Sequence, residues 1–420
     1  MVAELRLKNF SCFAGKYFKR LRITDYGLRI ADYGLRIFLT SKLIGSYEKI
    51  YVIPCVFVFP CVSAFTRVSA FTRVFAFTRV FAFTRVFAFT SVFAFTSVFA
   101  LTRVSAYTQD STYAERLGFP KGAKVVVMHI DDVGMSYDCN AGAIDVLTDG
   151  VARSCSIMMP CSWVPGFFHY LKTHPETDAG LHLTLTSEWK DYRWGPVSGK
   201  PAVPGLVDDE GAMWSNVGDV VKHATADEVE TEIRAQIEKS LKMGFRPTHL
   251  DSHMGTLFAS NAFIERYIKM GIEYKIPIMF PGGHNTLAAA QIKGTGVTMD
   301  QTRAVGKMLW TAGLPVIDDL HNTSYAPHLP QGVKPTNENL QKYKTEFYIN
   351  ALKEVKPGIT YMIMHCIKAT EVFPFISDSG PVRQGDYLAM MSPELKKYVK
   401  ENGIIIMTMR ELMERRQKVK

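Results

Sequence analysis

Between Ser111 and Lys420, short apolar runs alternate with amphipathic stretches, and this alternation limits the fold more than any other feature. Lys124–Ile130 reads as a strand buried on both faces, because Val125-Val126-Val127-Met128 offers no polar side. A helix capped by Asp138 is expected through Leu147, closed by Gly150. Val151–Met159 reads as a strand, Trp163–Lys172 as a helix, and Asp178–Thr186 as a strand with Leu181, Leu183 and Leu185 alternating. The clearest helix follows Thr225. Thr225 and Glu228 form a capping box, Val229, Ile233, Ile237 and Leu241 make the apolar stripe, and Gly244 ends it. Strands are expected at Thr248–Ser252, Ile276–Phe280, Thr360–Cys366 and Ile404–Met407, with helices at Phe263–Met270 and Pro393–Glu401. Such a pattern predicts an α/β fold with a mostly parallel sheet. The length and strand count suit a closed or nearly closed barrel, in which chemistry sits at the C-terminal strand ends.

Several polar residues fall at those ends. Asp131 and Asp132 stop the apolar strand just before Gly134. Two adjacent carboxylates repel each other, so a divalent metal or a proton-transfer role is the functional reading, and a turn start the bland one. His182 lies in Gly180-Leu181-His182-Leu183, where an imidazole among leucines is costly unless paired. It is either a ligand or a core histidine bonded to a carbonyl. His249, Asp251 and His253 alternate along one strand and would share a face, with Asp251 fixing a ligand imidazole from behind. His365 closes the late strand and reads as a general acid or as a surface residue. His129 reads as core or supporting. Trp189, Tyr192, Trp194 and Trp214 flank a Pro/Gly-rich stretch and would either stack on sugar rings or pack as a lid.

The first 110 residues are of another kind. Asp25–Ala31 recurs at once as Asp32–Phe38, and a hexad beginning Ala64-Phe65-Thr66-Arg67-Val68-Ser69 drifts on to Ser105. An even period suits strands, so this low-complexity segment is either a self-associating β-array or sequence with no folded role, such as an expanded repeat or upstream translation. The net charge of +9 belongs here. Residues 1–110 carry +10 and residues 111–420 carry −1, which leaves no bulk electrostatic case for nucleic acid. Ile50–Phe65 is uncharged and long enough for a signal core but short for a membrane span, and Pro54 and Pro60 break it, so no stable membrane insertion is expected. The compartment is cytoplasmic or exported according to where translation starts. Seven cysteines with no Cys-x-x-Cys pair argue against a cysteine zinc site, and the oligomeric state is left open.

On Asp131-Asp132-Val133-Gly134 with Asn140, Gly180-Leu181-His182, Asp251-Ser252-His253 and His365, the chain resembles the YdjC-like family of carbohydrate deacetylases, relatives of the NodB-type polysaccharide deacetylases. The resemblance spans about Lys124 to Glu414. It implies a distorted (β/α) TIM-like barrel over 111–420 and a divalent metal, zinc or magnesium. It also implies Asp132, His182 and His253 as metal ligands, Asp131 as base, His365 as acid, and an N-acetylated sugar as substrate. The chain departs from many members at Gly255, where a second histidine is common, and at Cys366-Ile367, where Pro-Gly is common. Alternatives from other classes are a non-catalytic carbohydrate-binding barrel and a repeat-driven assembly protein.

Overall fold

A computed structural model of the chain describes residues 21–24, 27–30, 111–289, 298–326 and 329–419. The hexad repeat and the apolar stretch at 50–65 lie outside these residues. The chain divides into two units, Met1–Arg103 and Val104–Lys420. In the first, β1 (Leu21–Thr24) and β2 (Gly27–Ile30) pair antiparallel, Leu21 opposite Ile30, so β2 falls within the first copy of the seven-residue repeat.

The second unit opens with the short helix α1 (Tyr113–Arg116) and then β3 (Lys124–Val133). Residues Val125 to Met128 and Ile130 are fully buried, as a central parallel strand requires. Helix α2 (Tyr137–Asp149), β4 (Ser154–Ile157), α3 (Val164–Thr173) and β5 (Asp178–Leu183) follow. After a long loop come α4 (Val217–His223), α5 (Ala226–Lys242), β6 (Leu250–Ser252) and α6 (Asn261–Tyr274). The chain ends with α7 (Met299–Thr311), β7 (Asp319–His321), α8 (Asn337–Glu354), β8 (Gly358–Met364), α9 (Gly380–Met390), α10 (Pro393–Glu401), β9 (Ile405–Ile406) and α11 (Met409–Lys418).

All strand pairs of this unit are parallel, in the order β6-β5-β4-β3-β8-β7, with β9 beside the first half of β3. The edges β6 and β7 are joined by isolated parallel bridges, Leu250 with Ile278 and Pro281 with Ile317. The strand expected at Ile276–Phe280 is reduced to these contacts, since Pro277 and Pro281 lack the N–H a ladder needs. The result is a distorted (β/α) barrel. Every strand delivers its C-terminal end to one face, so loops there can meet.

The capping box of Thr225 and Glu228 is present, and Val229, Ile233 and Ile237 are buried. The cap expected at Asp138 is Ser136 instead, whose extended backbone lets its Oγ accept from Cys139 N. Asp138 is buried in the first turn, and its Oδ1 accepts from Thr370 N at 2.6 Å. The opposite face is tied by two buried carboxylates. Asp318 accepts from Tyr113 N, Ala114 N and Ile359 N, and Asp178 accepts from Met409 N and Arg410 N. Among the described residues no helix is long and apolar enough to cross a membrane.

Candidate metal centre

In a regular strand Asp131 and Asp132 would point to opposite faces. Here the pairing of β3 with β4 shifts register between Ile130 and Val133, and Asp132 takes a left-handed backbone, φ 64°. This bulge turns both carboxylates toward one buried cluster. Gly134 (φ 86°) completes the turn, with its N–H donated to Asn140 Oδ1 at 2.8 Å. Asn140 therefore supports the turn and does not enter the cluster.

Asp132 Oδ1 lies 3.2 Å from His182 Nε2 and 3.2 Å from His253 Nδ1. All three residues are buried, and one donor atom from each lies within 4.8 Å of the others. Asp132 Oδ1 makes no hydrogen bond. The remaining nitrogen of each imidazole is held by a carboxylate. His182 Nδ1 donates to Asp251 Oδ1 at 2.7 Å, and His253 Nε2 to Glu188 at 3.0 Å. Ring nitrogens oriented by carboxylates and a converging, unsatisfied oxygen are what a divalent cation requires of two histidines and an aspartate. The donor set fits a metal. Two overlapping groups, His129/His249/Asp251 and Asp131/His182/Asp251, also bring donors together. Their atoms are largely taken: His129 by Ser154 and Ser156, His249 by Thr248 and Tyr361, and Asp251 by His182.

The charges agree. Burial opposes ionisation of Asp132, but the Arg383 guanidinium, with Nη1 2.7 Å from Asp132 Oδ2, and the two histidines outweigh it. Its carboxyl is held well below the usual carboxylate range. Burial likewise disfavours charge on His253, but Glu188 and Asp132 push it up to about 9. His182 is raised well above its usual value by Asp131 and Asp251 against its burial. A cluster this rich in carboxylates draws in either protons or a cation. Burial raises Asp131 above the ordinary carboxylate value, against the pull of His182 and His129.

His365 is buried, not superficial. Its Nε2 lies 3.8 Å from Asp131 Oδ2 and 3.9 Å from Asp132 Oδ2. Its Nδ1 is 3.3 Å from Ser324 Oγ, and its ring packs on Tyr325 at 4.4 Å. Its backbone N–H is donated to Asp386, which buried Lys344 neutralises at 2.7 Å. Burial holds His365 well below the usual imidazole value.

The five residues singled out in the sequence thus lie together. Two supporting relations differ from expectation. Asp251 holds His182, its parallel-register partner across β5 and β6, and not His253. His253 lies beyond β6, in a turn where Met254 and Gly255 have left-handed backbones, so it faces Glu188 instead. Trp194 is buried among Met135, Cys139 and Met213, and the half-buried Trp189 and Tyr192 pack against them. Sequence reasoning missed Glu188 and Arg383. Glu188 carried a usable signal, a carboxylate just past a strand bearing a candidate ligand. Arg383 carried none.

The YdjC-like protein family matches residues 125–401. A carbohydrate deacetylase of Thermus thermophilus is 29% identical over 287 residues, covering 68% of this chain and 93% of that protein. One from Thermoanaerobacter pseudethanolicus is 23% identical over 283 residues, covering 67% and 97%. A crystal structure from Enterococcus faecalis V583, provisionally named a cellobiose-phosphate cleavage protein, shares the fold. Its TM-score is 0.54 at 19% identity, over 69% of this chain and 99% of that one. With the match running from β3 through β8 and taking in every residue of the cluster described above, the chain belongs to the YdjC-like family.

Proposed function

We propose that this chain is a metal-dependent hydrolase that removes acetyl groups from N-acetylated sugars or small oligosaccharides. One observation carries the metal: buried Asp132 Oδ1, without a hydrogen bond, faces His182 Nε2 and His253 Nδ1 at 3.2 Å each. The acetylated sugar is supported by the names of the Thermus and Thermoanaerobacter relatives. Two imidazoles and one carboxylate suit zinc better than magnesium, which prefers oxygen donors.

Asp132, His182 and His253 would hold the ion. When bound, a divalent cation polarises the amide carbonyl and makes water more acidic. Asp131 borders the same cluster, its Oδ2 3.7 Å from His182 Nε2, and serves as the base that takes the proton of the attacking water. His365 protonates the departing sugar amine, so that the C–N bond breaks and acetate separates. Because His365 is neutral at rest, it must first be charged, and Asp131, 3.8 Å away, is the proton source within reach. Arg383 keeps Asp132 ionised throughout.

The test is acetate release from N-acetylated chito-oligosaccharides by the purified chain, with and without chelator. Release that chelator abolishes and added divalent ion restores is expected. No release with ion bound would make the chain a sugar-binding barrel, and release indifferent to chelator would remove the metal.

A further inference from the structure

His129 is a polar interruption in the central apolar run of β3, and it is fully buried. An imidazole in such a place must be paired. Its Nδ1 is 2.9 Å from Ser154 Oγ, and its Nε2 is 3.0 Å from Ser156 Oγ. The same Nε2 lies 3.0 Å from Asp251 Oδ2 and 3.3 Å from Asp131 Oδ1. His249 and Tyr361 confine the ring, with centroids at 4.9 and 4.6 Å. Asp131 Oδ1 has no well-aligned hydrogen bond, and its ion-pair contact among the described residues is His129 Nε2. Two buried carboxylates therefore share one N–H donor, and the second of them, Asp251, also orients His182.

Resting on the hydrolase reading, we propose that His129 is a positioning residue that fixes the Asp131 carboxylate for proton abstraction and links it, through Asp251, to His182. Without this donor Asp251 keeps His182 and the Tyr361 hydroxyl, whereas Asp131 Oδ1 loses its ion-pair contact, and Asp131 turns away from its partner. A base displaced by about 1 Å loses about 100-fold in rate. The three ligand atoms keep their own supports, so the metal stays.

The experiment compares the wild type with His129→Phe, which keeps a ring and loses both nitrogens, and His129→Asn, which keeps an N–H donor. Acetate release is measured as kcat and KM, alongside bound metal and a crystal structure of each variant. For His129→Phe the expected result is a kcat lower by about 100-fold, KM within about threefold, and retained metal. Asp131 should be rotated in its crystal structure, and His129→Asn should recover at least about tenfold of the loss. An unmoved Asp131 overturns the proposal. So does a kcat within about threefold of wild type, or a loss of kcat that simply follows loss of metal. If His129→Phe does not fold, His129→Asn and His129→Gln carry the same comparison, and equal kcat in all three chains overturns it. A wild type that releases no acetate sinks the hydrolase reading instead, whereas the rotation of Asp131 still tests the tether.

Discussion

Asp132 answers three demands at once. Its backbone is left-handed, its Oδ2 pairs with Arg383, and its Oδ1 is free to face two imidazoles. Asp and Asn tolerate that backbone better than other side chains, which limits what can stand there. The acidic pair, His182, His253 and His365 were legible in sequence because each is a polar residue within or just past a buried strand, where the core would otherwise exclude it. Their partners were not. Glu188 and Arg383 come from a loop and a helix with no periodic relation to the residues they hold. Those partners make a prediction. Glu188→Gln and Asp251→Asn remove the carboxylates behind His253 and His182. Each should weaken metal affinity by about 10–100-fold in a competition titration against a chromogenic chelator. Unchanged affinity in both would contradict the ligand assignment.

At the scale of elements, the reading found β3, β4, β5, β6, β8 and β9 but missed the three-residue β7 and the helices between 299 and 390. Pro393–Glu401 has the bounds its Pro and apolar spacing suggest. Helix α8 hides its period because its buried face includes Lys344 and Thr345, so the apolar stripe is interrupted. That buried lysine is neutralised by Asp386, which only the folded chain brings near. The bulge at Ile130–Val133 was equally hidden, since nothing local distinguishes it from a straight strand end. Helix α1 is joined to β8 through Asp318. Asp318→Ala strands three backbone N–H groups at about 1–3 kcal/mol each. Urea unfolding should register a loss of about 3 kcal/mol or more. A loss under about 0.5 kcal/mol, the range of an ordinary surface change, would contradict that role.

Across the whole molecule, the barrel separates stability from chemistry. Asp178 and Asp318 tie backbone at one end, while Asp131, Asp132, His182, His253 and His365 gather at strand C-termini. The parallel alternation made this division legible, because all strand ends of one kind share a face. The strand expected at Ile276–Phe280 lies where the barrel nearly closes, though it makes single bridges there and not a ladder. The family match begins at residue 125, so residues 111–420 alone should release acetate at the rate of the full chain. A truncated protein that folds but turns over more slowly would instead assign a role to the repeats. The central claim is that Asp132, His182 and His253 hold one cation, and the direct test is metal content of the purified chain beside Asp132→Ala. The account predicts one divalent ion per wild-type chain and none in the variant. Wild type without metal after reconstitution, or a variant that keeps its ion, would contradict it.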